Sequence, residues 1–304
     1  MKQLAPLVFS VLFLAGCAKS TEDRYQQAVK NYDQKNYVAA INQLDSLITE
    51  DDAYLNAYIV RANSKLSLKD FDGAIQDYTK SLSLTDSAGN KADILLSRGS
   101  AYFESGNFNQ ANEDFLSAAA QNPESAETYY LLALTEKERG NPDEVFNHLM
   151  KTLELDPDFA DGYFELGNLY SNEPNYEKAQ DNYAMAIKLD SLNPDYFLEQ
   201  GNVFYNQRSY QDALISYDHA IKLSPDFIEA YIDRANVKDE MRLSKEALED
   251  YNKAIELDPN YGSSYFNRGI ARQRTGDKKG ACEDFNKALA LGYENAITKT
   301  GDCQ

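Results

Sequence analysis

The sequence predicts an all-α solenoid of about eight tandem helix-turn-helix units, because it repeats itself every 34 residues along most of its 304-residue length. The segments EALEDYNKAIELDPN (246–260), QDALISYDHAIKLSPD (211–226) and NQANEDFLSAAAQNPE (109–124) superimpose when shifted by multiples of that period. Two further observations give the period a geometry. Fixed positions hold small residues while positions nearby hold large aromatic ones, the pattern of helices packed close with interdigitating side chains. Proline recurs where the second helix of a unit ends, at Pro123, Pro157, Pro225 and Pro259, since it cannot continue the hydrogen-bond ladder.

The repeats are preceded by a leader. It reads MKQLAPLVFSVLFLAGC, with one positive charge at Lys2, an apolar run from Leu4 to Ala15, small residues at Ala15 and Gly16, and then Cys17. That run is about 12 residues, too short for a bilayer core that needs about 20, and reads as a signal peptide over residues 1–16. The tetrad Leu14, Ala15, Gly16, Cys17 resembles the bacterial lipoprotein signal, which implies cleavage before Cys17, lipidation of its thiol and a lipidated N-terminus over residues 17–20. An ordinary secretory signal would leave a free Cys17 instead. Ala18 after the cysteine resembles lipoproteins sorted to the outer membrane, and the acidic Glu22 and Asp23 leave export to the cell surface open. The expected location is therefore the cell envelope, on either face of the outer membrane.

Units are expected at residues 21–54, 55–88, 92–125, 126–159, 160–193, 194–227, 228–261 and 262–295, with an insertion of Gly89 to Lys91 and a tail or cap over 296–304. Unit position 8 holds Ala28, Ala62, Gly99, Ala133, Gly167, Gly201, Ala235 and Gly269. Position 20 is alanine in every unit but the fourth, which has Val145. Large wedges sit at position 4 (Tyr58, Leu95, Tyr129, Tyr163, Phe197, Tyr231, Tyr265) and at position 24 (Tyr78, Phe115, Tyr183, Tyr217, Tyr251, Phe285). The fourth unit, with Val145, Leu149 and Thr152, is expected to pack more loosely. This arrangement resembles the tetratricopeptide repeat, two antiparallel helices per unit. The resemblance implies a right-handed superhelix whose concave face is lined by the first helix of each unit, chiefly at positions 2, 5, 6, 9, 12 and 13.

On that face the resemblance points to a peptide-binding set. Position 9 holds Asn63, Asn168, Asn202 and Asn236, and a side-chain amide can bond a peptide N–H and C=O together without regard to sequence. The other reading makes these asparagines tolerated polar residues at half-exposed helix positions. Position 5 forms an apolar stripe including Tyr130, Phe164, Leu198 and Ile232, expected either to pack on the neighbouring unit or to open as pockets. Positions 2, 6, 12 and 13 carry fourteen carboxylates, among them Glu165, Glu199 and Asp233, against only Lys137 and Arg274. The lysine and arginine clamp that related chaperone adaptors use for a C-terminal carboxylate has no match here.

Charge narrows the partner. With 49 acidic and 30 basic residues the net charge is -19, which opposes nucleic-acid backbones and anionic lipid headgroups and favours a neutral to basic protein or peptide. Two histidines, no tryptophan, and no phosphate loop, nucleophile elbow or zinc spacing give no reason to expect an enzyme, a metal or a cofactor. Cys282 and Cys303 are expected to form a disulfide in an oxidising envelope, closing a loop of about 20 residues worth roughly 3 kcal/mol and pinning the tail over the array's end; free or intermolecular thiols are the alternative. The function expected is a lipid-anchored scaffold or adaptor in envelope assembly. The alternatives are a surface glycan-binding component of nutrient uptake, with tyrosines as platforms, and a structural protein that binds itself.

Overall fold

A computed structural model describes residues 20–303. Among them every regular element is helical, and the chain divides into two compact bodies, one ending at Gly140 and the other starting at Asn141. The first holds α1 (Thr21–Asp33), α2 (Tyr37–Glu50), α3 (Leu55–Ser67), α4 (Phe71–Ser83), α5 (Ala88–Glu104), α6 (Phe108–Gln121) and α7 (Ala126–Arg139). The second holds α8 (Pro142–Leu155), α9 (Ala160–Asn172), α10 (Tyr176–Leu189), α11 (Pro194–Asn206), α12 (Tyr210–Leu223), α13 (Ile228–Glu240), α14 (Ser244–Leu257), α15 (Gly262–Arg274) and α16 (Lys278–Ala290). A short tail follows: a 3-10 turn at Glu294–Ala296, α17 (Ile297–Thr300) and a second 3-10 turn at Gly301–Cys303.

Helices begin and stop where local chemistry tells them to. Ser20 caps α1, its hydroxyl accepting from the Asp23 N–H while the Asp23 carboxylate accepts from the Ser20 N–H. Pro142 and Pro194 open α8 and α11, where a missing N–H costs nothing. Between paired helices the chain turns through one left-handed residue, glycine at Gly106 (φ 78°) and Gly276 (φ 90°) but basic at Lys69 (φ 61°) and Arg242 (φ 62°).

Within each body neighbouring helices pack in sequence order, so each element buries its apolar stripe on the one before and the one after. The close approach inside a pair rests on the small residues. A Cβ on Gly99 would lie 2.6 Å from the Phe115 ring, and one on Gly167 2.5 Å from the Tyr183 ring; Gly201 against Tyr217 and Gly269 against Phe285 repeat the contact at 2.6 Å. Alanine serves at Ala28, Ala62 and Ala235, all fully buried. On α8, Val145, Leu149 and Thr152 are buried, so these substitutions leave no exposed gap of their own.

Charge is also built into the pairs. Arg61 grips Asp77, Arg98 grips Asp114, Arg234 grips Asp250 and Arg268 grips Asp284, each through Nε and Nη2 at 2.6–2.9 Å. All four aspartates are buried. The planar guanidinium fork matches both carboxylate oxygens, and a tyrosine lies under each of the four forks, Tyr58, Tyr231 and Tyr265 at 5.3–5.5 Å and Tyr102 under Arg98 at 5.9 Å.

Candidate functional site

In the second body α9 touches α11, α11 touches α13 and α13 touches α15, so the odd-numbered helices form the tighter of the two layers. The three consecutive asparagines lie in this layer. Each is held from both sides by its own helix pair. Asn168 Oδ1 accepts from the Tyr183 hydroxyl at 2.7 Å, Asn202 Oδ1 from Tyr217 at 2.8 Å and Asn236 Oδ1 from Tyr251 at 2.7 Å. The amide Nδ2 groups donate to Glu165 (3.4 Å), Glu199 (3.2 Å) and Asp233 (3.3 Å), each three residues earlier on the same helix. In the first body Asn63 Oδ1 accepts from Tyr78 at 2.6 Å.

These asparagines therefore do a structural job that the sequence reading did not name: they satisfy phenol groups that burial would otherwise strand. Burial pushes the tyrosine hydroxyls of Tyr183, Tyr217 and Tyr251 above their ordinary pKa, so they act as fixed donors. An amide has two donors and two lone pairs, so each asparagine keeps one N–H and one lone pair after these bonds. It is oriented by the tyrosine and still able to meet a peptide group. The signal lay in the sequence: asparagine occurs at position 9 only where position 24 is tyrosine, with Ser100 opposite Phe115, Leu134 opposite Leu149 and Ile270 opposite Phe285.

The apolar stripe at position 5 lies mostly between helices. Leu198 and Ile232 are buried, Tyr130 is half-buried, and Phe164 sits 5.8 Å from the Tyr183 ring and 4.9 Å from that of Tyr196, on the next odd-numbered helix. Packing against the neighbouring unit is thus its use, and it forms a floor rather than a row of open pockets. Four further tyrosines, Tyr183, Tyr196, Tyr217 and Tyr251, are likewise enclosed and offer no platform, while Tyr129, Tyr163, Tyr231 and Tyr265 are half-exposed.

Apart from the buried Asp239, the carboxylates are the exposed and half-exposed part of the face. The Asp161 carboxylate accepts from the Tyr196 hydroxyl and Glu229 from the Tyr261 hydroxyl at 3.3 Å, so some also tie one pair to the next. Arg274 Nη1 bridges Asp239 (2.6 Å) and Glu240 (3.0 Å) from α15 to α13. Asp233 differs, for burial and the charges of Glu199 and Glu229 raise its carboxyl from the ordinary 3.8 to about 6, with the Asn236 bond opposing.

Cys282 on α16 and Cys303 in the tail are joined by a disulfide, with their Cα atoms 5.5 Å apart. Cys17 and the leader lie outside the described residues. Among the described residues no helix is long and apolar enough to cross a membrane, and no group of histidine, cysteine, aspartate and glutamate side chains is placed to hold a metal ion. His219 rests edge-on against Phe197 at 5.3 Å.

Sequence models of the tetratricopeptide repeat match residues 55–87, 96–144, 148–181 and 262–291, and a further TPR repeat model matches 245–276; together they span more than half of the chain. This is a tetratricopeptide repeat protein. Among solved structures, the tetratricopeptide chain resembles YrrB, a TPR protein with an unusual peptide-binding site, at 25% identity and a TM-score of 0.50, over 59% of this chain and 93% of that one. It shares its fold with the APC/C hetero-tetramer Cut9–Hcn1 (14% identity, TM-score 0.63, 94% of this chain) and spans only 57% of that chain. PilF of Pseudomonas aeruginosa matches at 18% identity and a TM-score of 0.60, over 70% of this chain and 99% of that one. No curated protein sequence matches. The tetratricopeptide architecture is that of a protein-interaction scaffold.

Proposed function

We propose that the protein is a lipid-anchored scaffold that holds a neutral to basic segment of a partner protein along the inner faces of α9, α11 and α13, in the assembly of a bacterial envelope. The observation that carries this reading is the threefold amide and carboxylate set: Asn168 with Glu165, Asn202 with Glu199, and Asn236 with Asp233, on successive helices of one layer. Each amide is oriented from below by a buried tyrosine and retains one donor and one acceptor. Extended peptides offer that pair at every residue, and the adjacent carboxylates favour lysine and arginine over acidic side chains. YrrB, similar over much of its own length, supports peptide binding as the kind of interaction.

Anchoring comes from Cys17. The described chain enters its first helix at Thr21, capped by Ser20, so the array starts within a few residues of the lipidated cysteine and its partner is membrane-proximal. Cys17→Ala, followed by fractionation, should move the protein from the membrane to the soluble fraction; unchanged membrane association would refute the anchor.

Binding is tested by copurification from gently solubilised membranes with variants that leave the core satisfied. Asn202→Ala with Tyr217→Phe, and Asn236→Ala with Tyr251→Phe, remove the amides and the hydroxyls that need them. Loss of a salt-sensitive partner with helicity unchanged supports the groove, whereas full retention, or recovery of nothing but further copies of the chain, would replace it with a self-associating structural role.

A further inference from the structure

The inserted residues Gly89 to Lys91 are absorbed into α5, which runs for 17 residues where α3 has 13. The added N-terminal turn stands beside α3 and closes a cavity of about 190 Å3 lined by Asn56, Ile59, Asn90, Asp93, Ile94 and Ser97. Its floor is apolar: Ile94 is buried and Ile59 half-buried, both packed in one core cluster with Tyr78. Its rim is polar, exposed and uncommitted. Among the described residues the Asn56 and Asn90 amides and the Asp93 carboxylate take part in no hydrogen bond or ion pair. The insertion's own cation does not serve Asp93, because Lys91 Nζ pairs with Asp86 at 3.5 Å.

An apolar floor beneath a few converging polar groups is the general form of a ligand site, and this volume suits one side chain rather than a drug-sized molecule, since roughly 150 Å3 accommodates benzene while drug-sized ligands fill about 300–1,000 Å3. The occupant must bring an aliphatic stem and a cation. We infer that this cavity is a lysine subsite: the side chain of a polypeptide lysine lies along Ile59 and Ile94 with its ammonium on Asp93 and the Asn56 and Asn90 carbonyl oxygens. Lysine matches both halves, for its four-carbon stem covers apolar surface while its ammonium offers three donors to three acceptors. The inference rests on the reading that the protein binds polypeptide, and adds a lysine-selective subsite of its own in the first body, between α3 and α5.

The test is a titration of the full-length, detergent-solubilised protein with fluorescein-labelled, capped alanine heptapeptides carrying lysine or norleucine at the centre, with cadaverine as a third probe. The lysine peptide should bind at least tenfold tighter than the norleucine peptide. Asp93→Asn, at an exposed position, should bring that ratio close to one while leaving norleucine binding unchanged, and deletion of Gly89 to Lys91 should weaken both. A ratio near one on the unaltered protein, or a preference that survives Asp93→Asn, overturns the subsite; if peptide binding is then still reduced by Asn202→Ala with Tyr217→Phe, the groove reading stands without it. No binding of either peptide overturns both. Cadaverine binding as tightly as the lysine peptide overturns the assignment to a polypeptide.

Discussion

The pairs α5–α6 and α9–α10 share a backbone plan and solve its polar problems in opposite ways. In α5–α6 the buried Asp114 is clasped by Arg98, and the wedge ring is Phe115, which asks for nothing. In α9–α10 the arginine site holds the apolar Leu166, and its usual partner is Asn182, half-buried and bonded to its own helix at Lys178 O (2.8 Å). There the wedge is Tyr183, and Asn168 answers its hydroxyl. Partners are thus exchanged together or not at all. A buried polar group left alone costs more than the pair contributes, so a repeat drifts only by replacing both sides of an interaction.

The largest effect expected from breaking that rule is at Arg98. Arg98→Leu strands the Asp114 carboxylate and should cost about 3–5 kcal/mol in urea denaturation followed by circular dichroism. Adding Asp114→Asn, which reproduces the α9–α10 combination, should recover most of the loss; no recovery would show that the two pairs are not alternative solutions. Next comes the feature both pairs share. Gly167→Ala drives a methyl into the Tyr183 ring and should cost about 1–3 kcal/mol, and Gly99→Ala a similar amount against Phe115.

Smaller is the Asn168 and Tyr183 couple. Asn168→Ala should cost about 1–2 kcal/mol and Tyr183→Phe less, with the double variant milder than their sum, so that a double-mutant cycle returns a favourable coupling. Additivity would remove the hydrogen bond from the account of why asparagine recurs. The smallest effect concerns Asp233, a half-buried carboxylate without the cation that Asp114 has. Its folded pKa of about 6 lies above the unfolded value, so the native state holds an extra proton between about pH 4 and pH 6. That contribution is present below about pH 4 and lost as the pH rises through 6. Asp233→Asn should therefore stabilise the protein at pH 7 by about 1 kcal/mol once solvent screening is allowed for, and flatten the pH dependence between those limits.

The 34-residue period, the small residues and the wedges made the helix pairs legible in the sequence, because backbone approach leaves almost no choice of residue at Gly99 or Gly167. The pairing of partners was equally present, yet reading one position at a time hides it: Asn168 looks like a surface amide until its column is set beside that of Tyr183, and Arg98 means little without Asp114. The apolar stripe was ambiguous for another reason. Phe164 has the same character whether it faces a neighbour or a ligand, and only the position of Tyr196 on the next odd-numbered helix decides. The cavity beside Asp93 could not be read at all, since the insertion announces itself as an irregularity in spacing and says nothing of the volume it encloses.

The tail crosslink gives the molecule a direction. In an array whose helices touch chiefly their neighbours in sequence, melting begins at the ends, where a pair has support on one side only. Cys303 fastens the tail's two 3-10 turns and α17 to α16, so one end is stitched, whereas α1 and α2 carry no such crosslink among the described residues. Amide exchange should therefore run as a gradient from α1 and α2 inward, so the end without a crosslink is the part most readily unravelled.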